Sequence, residues 1–136
     1  MSGERYPVLW IGQVAVVTLP AEIDVTNADA IREELLAVLN QGAVLLVADM
    51  SKTDFCDSSG VSALVRVFRH AAATNATALR LVVTTPAVLR VLSITGVDRL
   101  VDVYPSVAAS LAGPSGHADQ AWPDGATAKA DTDGGA

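Results

Sequence analysis

Ser58 lies in the run Asp57-Ser58-Ser59-Gly60, just beyond the apolar stretch Ala43-Val44-Leu45-Leu46-Val47-Ala48 and just ahead of a segment with helical spacing. A serine hydroxyl in such a turn can attack a substrate, accept a phosphoryl group or cap a helix. Attack needs a base within reach, usually with a Gly-x-Ser-x-Gly elbow. No such elbow occurs, and the histidines are His70 and His117 only. His70 falls twelve residues further along the predicted helix, a rise of ~18 Å. His117 falls in the C-terminal segment. No catalytic residue is therefore assigned, and the chain is not expected to be an enzyme. Nor does a glycine-rich phosphate loop of the P-loop or dinucleotide type occur. Capping is the ordinary role of such a serine, worth ~1 kcal/mol. However, Asp57, Ser58 and Ser59 offer three capping residues where one suffices. Gly60 then enters the first helical turn, where it costs up to ~1 kcal/mol relative to alanine. A glycine there allows another backbone to come close. Both features suit a serine displayed to a second protein.

A second cluster, Pro20-Ala21-Glu22-Ile23-Asp24, follows an apolar strand. Glu22 and Asp24 are two apart and share a face if the segment is extended. They read either as a solvated loop ahead of a helix or as a pair of carboxylates available for chemistry. If this loop lies beside the 57–60 turn, it forms an acidic rim around Ser58. Cys56 is the single cysteine, so no internal disulfide can form, and it is expected to be a small buried hydrophobe. No Cys/His cluster has zinc-ligand spacing, so no metal and no cofactor are expected. Arg66 and Arg69, three apart, are expected on a solvated helix face.

These groups belong to an acidic, aliphatic chain. It has 136 residues, 51% apolar and 4% aromatic, and a net charge of -6. That length makes one domain with a core large enough to fold without staples. The acidity argues against nucleic-acid binding and against anionic membrane surfaces. No apolar run approaches a membrane span, and the first five residues lack a signal-peptide core. A cytoplasmic location is the expectation.

The elements that position the site can be read from periodicity. Val8–Ile11 and Val14–Leu19 flank Gly12-Gln13 and predict a hairpin. Ala28, Ile31, Leu35, Val38 and Leu39 step by three and four, predicting a helix with Thr26 or Asn27 as its cap and Gly42 as its stop. The run 43–48 is apolar on both faces and suits a central strand. A second helix follows through Val61, Leu64, Val65, Phe68 and Ala71. Then come a strand over 79–83, a helix from Pro86 to a stop at Gly96, a short strand over 101–104 and a terminal helix over 105–111. The order predicts an α/β fold with a mixed, mostly parallel sheet, an N-terminal hairpin and about four helices. Residues 1–112 are expected to form the domain. Residues 113–136, with five Gly, six Ala and four Asp, are expected to be a disordered tail whose one large apolar side chain is Trp122.

Taken together, the Glu-Ile-Asp segment, the apolar strand to Asp49, the Phe55-Cys56-Asp57-Ser58-Ser59-Gly60-Val61 turn, Val82 through Pro86 and the Ile94-Thr95-Gly96-Val97 turn resemble bacterial anti-sigma factor antagonists. These are single-domain members of the STAS family, and the resemblance covers about residues 6–112. It implies a STAS-type fold. It also implies a protein that binds an anti-sigma factor that is itself a serine kinase, thereby freeing a sigma factor. Phosphorylation of Ser58 would end binding, and a PP2C-type phosphatase would restore it. Glu22, Asp24, Asp57, Ser58, Ser59 and Gly60 would form the partner surface. Pro20-Ala21 departs from the small-Gly pair usual before the glutamate. The alternative within the family is a docking subunit of an ABC-type lipid transport complex that is not phosphorylated.

Overall fold

The computed structural model describes residues 6–74 and 76–113. The hairpin forms as its turn chemistry requires. Strand β1 (Val8–Ile11) and strand β2 (Val14–Thr18) pair antiparallel with Ile11 opposite Val14. Gly12 takes φ +61° in the turn, a conformation that suits glycine. A two-residue strand, β3 (Glu22–Ile23), precedes helix α1 (Ala28–Asn40). The buried side chains of α1 are Ala28, Ile31, Leu35, Val38 and Leu39, the apolar set predicted from spacing. Gly42, at φ +98°, donates to the Leu39 carbonyl at 3.1 Å and closes the helix end.

Strand β4 (Leu45–Met50) starts two residues later than the apolar run that predicted it. A second short strand, β5 (Phe55–Cys56), leads into helix α2 (Ser58–Thr74). Strand β6 (Ala78–Val83), helix α3 (Pro86–Thr95), helix α4 (Val97–Leu100), strand β7 (Asp102–Tyr104) and helix α5 (Val107–Ala112) complete the chain. Pro86 occupies the first turn of α3, and Gly96 ends that helix at φ +85°.

The main sheet runs β1-β2-β4-β6-β7, antiparallel at β1–β2 and parallel elsewhere. Alternation along the strands divides the core. Ala15, Val17, Leu46, Ala48, Met50, Leu79, Leu81 and Val83 face α1, α2, α3 and α4 in one large cluster. Val16, Val47 and Val82 face the other way, against Val107 of α5. Both faces of β4 are therefore covered, which explains its unbroken apolar run. The mixed α/β sheet agrees with expectation. The additions are the two-residue strands β3 and β5 and the short α4, which makes five helices among the described residues.

On the α5 face, Arg80 is buried within an otherwise apolar strand. Its guanidinium lies 5.3 Å from the Tyr104 ring centre and donates to the carbonyls of Ser110 and Gly113. This cation holds the end of α5 against the sheet. Gly113, assigned to the tail on composition, packs against Tyr104 and donates to Ala109 O at 3.0 Å. Trp122 and the rest of 114–136 lie outside the described residues.

Candidate functional site

The parallel strands end on one side of the sheet, where β3 and β5 form a parallel ledge. Glu22 pairs with Phe55 and Ile23 with Cys56. Side chains lace the ledge to the main sheet. The hydroxyl of fully buried Thr53 donates to Pro20 O at 2.7 Å. The Thr85 hydroxyl donates to Thr53 O at 2.9 Å, and that of Thr84 to Ser51 O at 3.1 Å. Ala21 O accepts from the amides of Asp54 (2.9 Å) and Phe55 (3.3 Å). The Pro20-Ala21 departure thus leaves a loop with well-placed backbone acceptors.

Asp57 N donates to Ile23 O at 3.2 Å, which brings the Glu22–Asp24 segment alongside the serine turn. The condition set for an acidic rim is met. Glu22 and Asp54 are exposed, and Asp24 and Asp57 half-buried. Asp24 also organises its own loop. Its carboxylate accepts from the Thr26 hydroxyl at 2.5 Å and the Thr26 amide at 2.9 Å. Those two bonds, the hydroxyl's first, hold its carboxyl below the ordinary value. Asn27 precedes α1, but its side chain does not cap the helix. It accepts from Asp24 N at 3.0 Å and donates to Glu22 O at 2.8 Å, tying the acidic loop together.

The cap of α2 is Asp57 rather than Ser58. One Asp57 carboxylate oxygen accepts from Ser59 N at 2.9 Å and Gly60 N at 3.3 Å, while Asp57 O accepts from Val61 N at 3.1 Å. Aspartate and serine are equivalent cap types, so composition alone could not choose between neighbours. Capping by Asp57 places Ser58 as the first helical residue, exposed. Among the described residues its hydroxyl has no hydrogen-bond partner.

Gly60 is buried. An added Cβ would stand 2.6 Å from Cys56 Sγ and 2.7 Å from Ile23 Cγ2. The close approach that this glycine permits is therefore internal, between α2 and the β3–β5 ledge. Cys56 is buried as expected, and desolvation, with the Asp57 charge second, pushes its thiol up to about 11. Arg66, Arg69 and His70 are exposed along α2, and His70 sits at the far end of the helix from Ser58. Among the described residues no group of three His, Cys, Asp or Glu side chains is placed to hold a metal ion. No described helix is long and apolar enough to cross a membrane.

Sequence reasoning missed Thr53 and Arg80. A threonine in a polar turn carries no signal of burial. Arg80, flanked by Leu79 and Leu81, did signal a strand whose second face differs from its first.

The STAS-domain family model matches residues 8–110, and the chain belongs to that family. Among solved structures it superposes with a TM-score of 0.73 on an anti-sigma factor antagonist from Mycobacterium paratuberculosis, 28% identical, covering 79% of this chain and 90% of that one. SpoIIAA in its unphosphorylated form gives a TM-score of 0.66 at 20% identity, covering 79% and 93%. The Bacillus cell-fate determinant SpoIIAA in its phosphorylated form gives 0.60 at 19% identity, covering 79% and 96%. The chain thus has the STAS fold of the anti-sigma factor antagonists. No curated protein matches it significantly.

Proposed function

We propose that the protein is an anti-sigma factor antagonist switched by phosphorylation of Ser58. The unphosphorylated form binds an anti-sigma factor that is also a serine kinase and releases a sigma factor. The phosphorylated form does not bind, and a PP2C-type phosphatase returns it to the binding state. The observation that carries this reading is the orphan, exposed hydroxyl at the first residue of α2, with Asp57 already serving as the cap. A capping serine would spend its oxygen on the helix amides; exposed and without that bond, this hydroxyl is accessible to an external catalyst. SpoIIAA, which shares the fold, has both unphosphorylated and phosphorylated forms, and this supports the reading.

The surroundings suit a partner that is basic and apolar. Glu22, Asp24, Asp54 and Asp57 supply the negative charge, and exposed Val25 and Phe55 supply apolar surface beside them. Half-exposed Ser59 and buried Gly60 complete the turn that the partner would meet. A phosphate at Ser58 adds about -1.5 to -2 charges. The start of α2 tolerates an anion, with ~0.3–1 kcal/mol in its favour, so the fold persists. A partner fitted to a neutral hydroxyl beside Asp57 instead meets a desolvated dianion, and each 1.4 kcal/mol lost is ~tenfold in affinity.

The test combines mass spectrometry and calorimetry with the cognate kinase. Wild type gains one phosphate on incubation with ATP, Ser58→Ala gains none, and Ser58→Asp loses binding while its circular dichroism is unchanged. Modification of Ser58→Ala to the wild-type extent refutes the site. Recovery of an ABC ATPase, with binding unaffected by Ser58→Asp, selects the transport-docking alternative.

A further inference from the structure

The end of the sheet opposite Ser58 has a different character. Residues 7–21 and 35–48 contain no Asp, Glu, Lys, Arg or His, although the chain carries a net charge of -6. These segments meet at the β1–β2 hairpin, where Val44 N donates to Gln13 O at 2.9 Å. The region is also exposed: Leu9 at 59%, Ile11 and Val44 each at 47%, and Trp10 at 38%. Leu9 and Ile11 stand opposite Val16 and Val14, on the α5 face of the sheet. Helix α5 packs on β4, β6 and β7 and leaves them uncovered.

The hydrogen-bond register shows what this edge offers. Ile11 and Leu9 oppose Val14 and Val16 across the two-residue turn, and Pro7 O accepts from Thr18 N at 2.9 Å. Residues 7, 9 and 11 therefore turn their backbone groups toward β2, whereas Val8 and Trp10 turn theirs outward. Among the described residues β1 pairs with β2 alone. Neither a charge nor an internal proline, the usual guards of a sheet edge, lies between Val8 and Ile11.

We propose that β1 pairs antiparallel with β1 of a second copy of this chain, about a two-fold axis through Leu9. Val8 of each copy exchanges hydrogen bonds with Trp10 of the other, and the two Leu9 side chains face each other. Such pairing is self-complementary, as a two-fold interface must be. Charge selects the occupant. Two copies of an acidic chain repel through most of their surfaces, and this uncharged edge lets them meet without that opposition. A basic partner would instead be drawn to the acidic rim at the other end. The contact rests on four residues per copy, so it belongs to the small, weak class of interfaces and should depend on concentration. Both Ser58 hydroxyls stay uncovered, so this pairing is independent of the phosphorylation reading.

Sedimentation equilibrium of the full chain tests the proposal. The expected mass rises with concentration from 14.0 kDa toward twice that value. Leu9→Lys places two like charges across the axis and should stay at the single-chain mass, whereas Leu100→Lys, at an exposed position of α4, should associate as wild type does. Hydrogen exchange provides a measurement that needs no variant: the Val8 and Trp10 amides become protected as concentration rises. A wild type of single-chain mass up to millimolar concentration, association that survives Leu9→Lys, or amides that exchange freely at every concentration would each overturn it.

Discussion

Gly60→Ala tests how the proposed acceptor, Ser58, is held. The new methyl would lie 2.6 Å from Cys56 Sγ and 2.7 Å from Ile23 Cγ2, where carbon contacts settle at about 3.5–4.0 Å. Each neighbour must retreat by about 1 Å. Ile23 is 1% exposed and β-branched, so its Cγ2 has little rotamer freedom. Overpacking of this kind costs about 1–3 kcal/mol, and replacing glycine within a helix returns up to ~1 kcal/mol. With the full return subtracted the balance is a loss of up to about 2 kcal/mol, read as a lower urea midpoint with an unchanged m-value. The start of α2 should also shift away from the ledge, and phosphorylation of Ser58 should slow although the serine itself is intact. Cys56→Ala removes the nearer contact. In a double-mutant cycle, Gly60→Ala should therefore cost less on the Cys56→Ala background than on wild type. A Gly60→Ala protein more stable than wild type would show that helix propensity governs this position and that the internal-contact argument is wrong.

Asp57→Ala should lose about 1 kcal/mol of stability, since it strips the cap from the Ser59 and Gly60 amides; Asp57→Asn keeps an acceptor and should lose far less, as urea titration of both would show. Arg80→Met should cost about 2 kcal/mol, because the carbonyls of Ser110 and Gly113 lose a charged donor inside the protein; faster amide exchange across α5, ahead of the rest of the chain, would locate the damage there. Cys56 sets an alkaline limit. Its folded thiol is raised from 9.0 to about 11, so the folded state holds its proton more tightly. That contribution is fully present below pH 9 and is lost as pH rises through 11. Thermal stability should fall across that window in wild type, and the fall should be reduced in Cys56→Ala.

The long elements were legible because their signals are local and redundant. Five side chains at three- and four-residue steps define α1, and Gly12, Gly42, Pro86 and Gly96 mark turns and helix ends through their backbone preferences. The strands β3 and β5 were not legible. Each has two residues, too few for a period, and their pairing depends on Thr53, Thr84 and Thr85 bridging loops about thirty residues apart. The same limit applied to the cap. Asp57 and Ser58 are both good caps one residue apart, and periodicity does not resolve a single position at a helix start. Yet that one-residue difference decides the chemistry. With Ser58 as cap, its oxygen would be spent on the helix amides; with Asp57 as cap, the serine stands in the first turn with its hydroxyl unspent. Gly60 shows the converse. Its need for close approach was readable, but the neighbour was the chain's own ledge rather than a partner's backbone. Gly60 and Asp57 together therefore act within the fold, one by seating α2 against β3 and β5, the other by occupying the amides. Exposed around them are Ser58, Glu22, Val25, Asp54 and Phe55, the side chains on which the proposed partner surface rests together with half-buried Asp24 and Asp57.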